Sequence, residues 1–554
     1  PDTSGDGMSA ETIFRHRDAL LLSLVALGIG LRIWQYAANT SLWVDEIFLA
    51  SNILHRSMRE LLVIPLCYGQ VAPTGFLLLE KLSALAFGPS DYALRFVPLV
   101  SSIAGLVMFW RIVRRFLRPL AAVFAMTLFA TAAPLVTFGS LTKQYSLDVA
   151  VAVALLWLSL RLSRRVLSRK QAAYFGVAGA TLVWFSQPAV ITVLALGGAL
   201  VLIAWTGSRD LRATWLRSLS PVITMWSVSG LAAALVSFFG MTASLRDFMH
   251  QYWAPGLLPS PPSLVLVIHW PWNQMKSLIG SGGQASLAYP HPGIYLVLAA
   301  LGFWLLGRQS ATIATLLLAP IAAIIAAAVA RQYPFSDRLI LFLLPSFFIA
   351  LAVSVDWMYR KLTAWSKYLG WLAVIAVMGP AVYPIAAMPP PYRIEDMKSI
   401  MAYLQANRRP GDAVYVFNGA TLAFGFYSRE YGFRDSDYSA GGCHRGENRR
   451  YLDELDKFRG RPRVWVVVTH ALPSYKERDD ILHYLDTIGV RRDTFAVESR
   501  VVGNWALPAE LWLFDLSDSR RLGVVSSASM PLIGPVFPGG CGDATPVVVP
   551  PRTF

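Results

Sequence analysis

The sequence predicts a polytopic α-helical membrane protein of about 11 transmembrane helices followed by a small C-terminal α/β domain. Three observations predict it. Only 15% of the 554 residues are charged, against about 25% in a soluble globular chain. The mean hydropathy is +0.48, and over this length it cannot come from one buried core, since single cores stop growing near about 250–300 residues. The apolar stretches are continuous rather than alternating, which argues against a β-barrel. An ordinary soluble enzyme, a disordered chain and a fibre are excluded on the same grounds.

A span needs about 20 apolar residues. Eleven stretches qualify: 19–38, 92–110, 119–137, 145–161, 171–186, 189–206, 218–240, 291–307, 311–330, 338–357 and 367–387. Lys and Arg set the orientation, because they accumulate in short cytoplasmic loops. With the N-terminus in the cytoplasm, that side carries eighteen basic residues, from Arg15 and Arg17 through Arg114, Arg115, Arg164 and Arg165 to Lys361 and Lys367. The opposite side has longer loops but only Arg56, Arg59, Lys81, Arg95, Lys143, Arg246, Lys276, Arg331 and Arg338. The C-terminal domain then falls outside. The net charge of +15 reads as positive loops meeting anionic lipid, not as nucleic-acid binding.

Residues 1–14 form an N-terminal tail, with Pro1–Gly7, ahead of Met8, read as an expression scar. The membrane module is 15–390. Its first outside loop, 39–91, holds two amphipathic stretches, about 46–60 and 73–87, in which Phe76, Leu77, Leu79, Leu82, Leu85 and Ala86 make one apolar face. Helices of this kind lie in the membrane interface. The second outside loop, 241–290, mixes Trp253, Trp270 and Trp272 with prolines; it reads equally as a cover for a lipid-facing groove and as an interfacial aromatic belt. After Pro389-Pro390-Pro391, residues 391–518 alternate helix and strand. The helices are expected at 394–408 and 474–488. The strands are expected at Ala413–Phe417, Val464–Thr469, Thr494–Val501 and Leu511–Phe514. The tail, 519–554, lacks helical periodicity.

Asp45 and Glu46 follow the first span directly. A carboxylate at a membrane surface can take a proton from an acceptor hydroxyl or hold a divalent cation such as Mg2+ or Mn2+; Asp45 can equally cap a helix beginning at Glu46. Lys143-Gln144-Tyr145 opens the fourth span on the same side. Lys143 suits a phosphate or snorkels to the interface, and Tyr145 suits an interface in any case. Arg331 and Arg338 bracket the loop before the tenth span. Arg338 at a helix N-terminus is a phosphate-binding arrangement, with pairing to Asp337 as the alternative. Arg95 opens the second span and is expected to pair with Asp45, Glu46 or Asp91 rather than touch substrate. Asp435-Ser436-Asp437 imitates a nucleotide-sugar motif on the wrong side of the membrane. Gly280-Ser281-Gly282-Gly283 lacks the residues of a phosphate loop, and His470, ending a strand, reads as a surface or capping histidine. Cys443 and Cys541 suit a disulfide in an oxidising compartment, which leaves Cys67 unpaired.

The stretches Ser41-Leu42-Trp43-Val44-Asp45-Glu46, Ala72-Pro73-Thr74-Gly75-Phe76-Leu77-Leu78-Leu79, Asp91-Tyr92-Ala93-Leu94-Arg95, Lys143-Gln144-Tyr145-Ser146-Leu147-Asp148 and Tyr333-Pro334-Phe335-Ser336-Asp337-Arg338 occur in an order that resembles membrane glycosyltransferases of the GT-C fold. The similarity is greatest to the bacterial branch of glycosyltransferase family 39, with its protein O-mannosyltransferase-like and lipid A aminoarabinose transferase-like enzymes. Ala72-Pro73-Thr74-Gly75 departs from the paired prolines common in that family. The resemblance implies transfer of a sugar from a polyprenyl-phosphate donor to a lipid, glycan or protein acceptor on the extracytoplasmic face, usually with inversion. It implies Asp45 as base, with Glu46 in support of it or of a metal. Lys143 and Arg338, with Arg331 and Tyr145, would bind the donor phosphate, and Arg95, Gln144 and Tyr333 the substrate. Alternatives are a lipid-linked oligosaccharide ligase of related fold, a lipid or sugar flippase, and a scaffold. A transporter should show internal symmetry, interrupted spans and charges near the bilayer midplane; the sequence displays none of them.

Overall fold

The computed structural model describes residues 10–533 apart from 165, 208, 262, 504–505, 519–520 and 522–525. In chain order the membrane module contains α1 (Ala10–Ala37), α2 (Val44–His55), α3 (Met58–Val63), α4 (Thr74–Phe87), α5 (Asp91–Phe116), α6 (Pro119–Thr131), α7 (Ala133–Thr137), α8 (Tyr145–Leu162), α9 (Arg169–Leu182) and α10 (Gln187–Thr206). It continues with α11 (Arg209–Phe239), α12 (Ala243–Tyr252), α13 (Leu264–Ile279), α14 (Pro292–Gln309), α15 (Ala311–Val329), α16 (Leu344–Thr363) and α17 (Lys367–Ala387). A 3-10 stretch, Asp337–Leu343, leads into α16.

The chain is a multi-pass membrane protein. Among the described residues eight helices are long and apolar enough to cross a membrane, and the pair Pro119–Thr131 and Ala133–Ser140, bent by 55°, makes nine. The other two expected spans are helical but less clear-cut: α9 is a 14-residue helix continued by a 3-10 turn at Val183–Phe185, and α14 ends in Arg308-Gln309. Exposed side chains such as Leu22, Leu202, Val228, Phe239 and Ile375 belong against lipid, which is as apolar as they are. The bundle closes around α16, in which every residue from Leu344 to Asp356 is buried. At Gly302 of α14 a side chain would run into the backbone of Ala350, so only glycine permits this approach.

The uninterrupted spans expected from sequence are corrected at one point. The α6–α7 span breaks at Ala132, and Arg32 of α1 is buried beside the break. A break frees carbonyls at the end of α6, and in a bilayer a neighbour must satisfy them. Arg32 does so. Its guanidinium donates to the carbonyls of Ala130 (3.3 Å) and Phe129 (3.4 Å), to Gly28 O (2.9 Å) and to Ser102 Oγ (2.7 Å). The charge was overlooked because one arginine in an apolar run looks like a boundary residue.

The C-terminal domain contains α18 (Met397–Asn407), β1 (Ala413–Val416), α19 (Asn418–Tyr427), β2 (Ser439–Ala440), α20 (Arg449–Asp456), β3 (Val464–Val468), α21 (Glu477–Ile488), β4 (Val490–Val497) and β5 (Ala509–Asp515). The strand order is β2-β1-β3-β5-β4. β1 runs parallel to β2 and β3, while β5 is antiparallel to β3 and β4. β1 and β3 are buried throughout, which explains their unbroken Val/Tyr/Trp runs; β4 is an exposed edge. α19, α20 and β2 carry no clear sequence signal, and β4 starts four residues before the expected Thr494. Of the tail, the described residues 526–533 hold one 3-10 turn; residues 534–554 lie outside the described residues.

One face of the sheet, with α20 and α21, encloses its own core. The other face, with α18 and α19, shares a core with the first loop: Leu42, Ile47, Phe76, Leu77 and Leu94 pack with Met401, Leu404, Phe424 and Tyr427. The single apolar face expected on α4 therefore divides. Phe76, Leu77 and Ala84 are buried beneath the C-terminal domain, whereas Leu82, Leu85 and Phe87 stay exposed. Polar ties reinforce the joint. The Tyr427 hydroxyl accepts from Leu42 N (2.8 Å) and donates to Asp91 (2.8 Å), Asp91 meets Lys398 at 2.7 Å, and Ser41 Oγ donates to Asp396 (2.9 Å).

Replacing Arg32 by Met leaves the Phe129 and Ala130 carbonyls without donors. At about 1–3 kcal/mol per unsatisfied buried group, the variant is expected to unfold about 2–4 kcal/mol more easily in a denaturant titration of the detergent-solubilised protein. An unchanged midpoint would show that the break is satisfied otherwise.

Candidate functional site

The site grows from the start of α2. Trp43 is the N-cap residue, and its backbone N–H is accepted by Glu46 Oε2 at 3.3 Å. Glu46 rather than Asp45 therefore caps the helix, and the capping role considered for Asp45 is corrected. Asp45 lies in the first turn with its carboxylate free to turn sideways.

Glu46 points inward and is fully buried. Arg95 grips it through Nε to Oε1 (3.2 Å) and Nη2 to Oε2 (3.0 Å), and Thr142 N donates to Oε1 (2.8 Å). The other donors of Arg95 go to Thr40 O (2.5 Å) and Ser41 O (3.1 Å). Both residues are fully engaged with each other and with backbone, so the structure gives Glu46 and Arg95 a bracing geometry. It joins the first loop, α5 and the segment before α8.

Asp45 faces a different set. Lys143 Nζ lies 2.9 Å from its Oδ1, and Arg338 Nη2 lies 3.6 Å from its Oδ2. Gln70 Nε2 donates to Oδ1 at 3.3 Å, and Gln70 Oε1 accepts from Lys143 at 2.6 Å. Arg338, at the start of the 3-10 stretch, donates Nε to the Tyr145 hydroxyl (2.8 Å) and also contacts Gln284 Oε1. Its guanidinium stacks over Tyr145 (5.7 Å) and Trp253 (5.2 Å). Asp337 Oδ1 accepts from Ala285 N at 2.8 Å and so fastens the second loop to this corner.

The electrostatics follow. Burial pushes the Asp45 carboxyl up, but the Lys143 ammonium and Arg338 guanidinium outweigh it and hold the group below the usual aspartate range. Burial lowers Lys143 below the usual lysine range despite the neighbouring Asp45. The arrangement is a charged trio, two buried cations around a half-buried carboxylate, able to accept a proton at one point and offset negative charge at two others.

Four predicted residues are thus brought together: Asp45, Lys143, Tyr145 and Arg338. Others are not in that contact. Arg331 is exposed and donates to Leu258 O (2.9 Å), and the Tyr333 hydroxyl donates to Leu339 O (3.1 Å). Gln144 is buried, with an Oε1 that has no hydrogen-bond partner among the described residues. Gln70, Gln284 and Trp253 were not singled out as site residues. Trp253 lies in the loop read as a groove cover, whereas Gln70 sits between two helices in no recognisable motif. His470 is not a plain surface histidine: its Nδ1 lies 2.6 Å from Glu395, and its ring lies 6.5 Å from that of Trp43. Cys443 is disulfide-bonded, its expected partner Cys541 lies outside the described residues, and Cys67 is free.

A divalent cation does not suit this donor set. Both oxygens of Asp45 face cations, Glu46 is turned to Arg95, and no cluster of three His, Cys, Asp or Glu side chains with metal-binding geometry occurs among the described residues.

No protein-family model and no curated protein matches the sequence. Solved structures do match in fold. ArnT from Cupriavidus metallidurans in the apo state gives a TM-score of 0.46 at 13% identity, covering 89% of this chain and 98% of that one. The same protein bound to undecaprenyl phosphate gives 0.44 at 14%, covering 91% and 99%. Archaeal oligosaccharyltransferase AglB from Archaeoglobus fulgidus, with an inhibitory peptide and a dolichol-phosphate, gives 0.45 at 13%, covering 86% and 72%. This chain spans 60% of the length of the Archaeoglobus fulgidus oligosaccharyltransferase solved with Zn and sulfate. The likeness is one of fold, at low identity.

Removing one partner of a buried ion pair leaves an uncompensated charge, at about 3–5 kcal/mol. Arg95→Met is therefore expected to lower stability by that order, and Arg95→Met/Glu46→Leu to recover part of the loss. Equal melting temperatures for wild type and Arg95→Met would exclude the bracing role.

Proposed function

We propose that this chain is a membrane glycosyltransferase that moves a hexosyl or pentosyl group from a polyprenyl-phosphate donor to a hydroxyl of a lipid, glycan or protein acceptor. The observation that carries this reading is the contact of half-buried Asp45 with the buried Lys143 at 2.9 Å and Arg338 at 3.6 Å, from three distant parts of the chain. In the proposed step Asp45 takes the acceptor hydroxyl proton as its oxygen bonds to the anomeric carbon. The bond from that carbon to the phosphate oxygen breaks on the opposite face, so configuration inverts. Lys143 and Arg338 offset the charge that gathers on the departing phosphate, which therefore needs no proton. Tyr145 and Trp253 hold the Arg338 guanidinium in place. The metal support considered for Asp45 and Glu46 has no part in this step.

The charge count favours a monophosphate carrier. Two cations against one carboxylate leave a surplus of one positive charge, which matches the single charge of a phosphodiester. A diphosphate carrier, as a lipid-linked oligosaccharide ligase would use, brings two negative charges, and desolvating the excess is unfavourable. Residues 15–390 are the proposed transferring module and 391–518 its extracytoplasmic domain in a bacterial inner membrane. A carrier lipid between spans would remove any need for a nucleotide sugar on that side. Arg331, Gln144 and Tyr333 remain proposed contacts at the rim.

Asp45→Asn is expected to reduce release of free polyprenyl phosphate from radiolabelled polyprenyl-phosphate sugar by about 10²–10⁴-fold, assayed below the melting temperatures of both proteins. Arg338→Ala should raise the donor KM and leave the acceptor KM unchanged. Turnover near wild type in Asp45→Asn would remove the carboxylate from the mechanism.

The pH profile follows from the two shifts. Asp45 loses its basicity on protonation as pH falls, and its depressed value places that limb below about pH 4. Lys143 loses its charge as pH rises, and its depressed value brings that limb in before about pH 10.4. An acid limb centred above about pH 5 in donor kcat/KM, one unit beyond the ordinary aspartate value, would contradict the arrangement.

A further inference from the structure

Gln70 lies outside every motif, yet the structure aims it with care. The segment joining α3 to α4 turns through two successive left-handed residues, Tyr68 (φ 62°) and Gly69 (φ 61°). Left-handed backbone disfavours a side chain such as tyrosine, so something must hold the turn. Three contacts do. The Tyr68 ring stacks on Phe48 of α2 at 5.2 Å. Asn52 of α2 accepts from Cys67 N (2.9 Å) and donates to Cys67 O (3.3 Å). A Cβ on Gly69 would stand 3.0 Å from the Phe248 ring of α12, so the turn is clamped between the first and second loops.

The side chain that emerges is satisfied at both ends. Gln70 Oε1 accepts from Lys143 Nζ at 2.6 Å, and Nε2 donates to Asp45 Oδ1 and to Tyr68 O, each at 3.3 Å. An ammonium can only donate and a carboxylate can only accept. The amide therefore has one usable orientation, and neither an ionised acid nor a protonated base can serve both partners.

We propose that Gln70 is a positioning residue for transfer. Its amide bridges the Lys143–Asp45 pair, one end to each, and holds the Lys143 ammonium where a donor phosphate can share it. The inference rests on the transferase reading and extends it to a neutral group. Without the amide, Lys143 loses its neutral acceptor and is held by Asp45 alone, so an incoming phosphate competes with an undivided ion pair and donor binding weakens. Asp45 also loses an N–H donor that favours its charged form, so its acid limb moves up. Acceptor binding is untouched.

The test uses the purified full-length chain in detergent, radiolabelled polyprenyl-phosphate sugar, and the variants Gln70→Met and Gln70→Glu. Gln70→Met keeps the shape and removes both polar ends. Gln70→Glu keeps an acceptor for Lys143, removes the donor to Asp45 and cancels the surplus positive charge. Both are expected to raise the donor KM at least about tenfold, Gln70→Glu more than Gln70→Met, with the acceptor KM unchanged and the acid limb of kcat shifted upward. Should Gln70→Met fail to fold, Gln70→Glu carries the comparison. An active wild type whose variants superimpose on it in donor KM and acid limb overturns the positioning role alone. So does a loss of kcat that is equal at every pH with both KM values unchanged. A wild type that releases no polyprenyl phosphate overturns the transferase reading and this proposal together.

Discussion

The geometry of the site depends on one buried ion pair. Successive residues on an α-helix point about 100° apart, so fixing one side chain constrains the next. Arg95 takes Glu46 into the protein interior, and Asp45 is left facing the space that Lys143 and Arg338 enter. The same Glu46 carboxylate accepts from Thr142 N, which ties down the segment that presents Lys143. One carboxylate thus positions both a neighbouring acid and a distant base. Its own partners are cationic or backbone N–H, so its burial is compensated.

A second constraint comes from the C-terminal domain. Its α18–α19 face has no core of its own and completes one with the first loop. The loop that bears Asp45 is therefore packed on both sides, and Tyr427, Asp91 and Lys398 lock the joint with hydrogen bonds and charge. On the membrane side, close approach of α14 to α16 at Gly302 holds the helix that follows Arg338, and Arg32 satisfies the broken α6–α7 span that leads toward Lys143. The second loop completes the surround, since Trp253 stacks on Arg338 and Ala285 is fastened to Asp337.

Much of this was legible in the chain. Continuous apolar runs announce spans because a bilayer demands them, and the buried strands β1 and β3 announce themselves by runs of valine and aromatic residues. Asp45, Lys143, Tyr145 and Arg338 could be picked out because charge or phenol at a span end needs a reason. Gln70 could not, since a neutral amide in a loop is ordinary in sequence and unusual only beside its partners. Arg32 and the break at Ala132 were hidden for a related reason: hydropathy averages over a window and does not register one charge or one bend.

The sequence by itself determined that the protein lives in a membrane, where its helices begin, and which charged residues stand at their ends, because these follow from local composition against a fixed solvent. Tertiary structure alone decided that Glu46 and Arg95 brace while Asp45, Lys143 and Arg338 meet. Two adjacent carboxylates are equivalent in one dimension. Only packing of the first loop between bundle and C-terminal domain sends one to the buried Arg95 guanidinium and the other to Lys143 and Arg338.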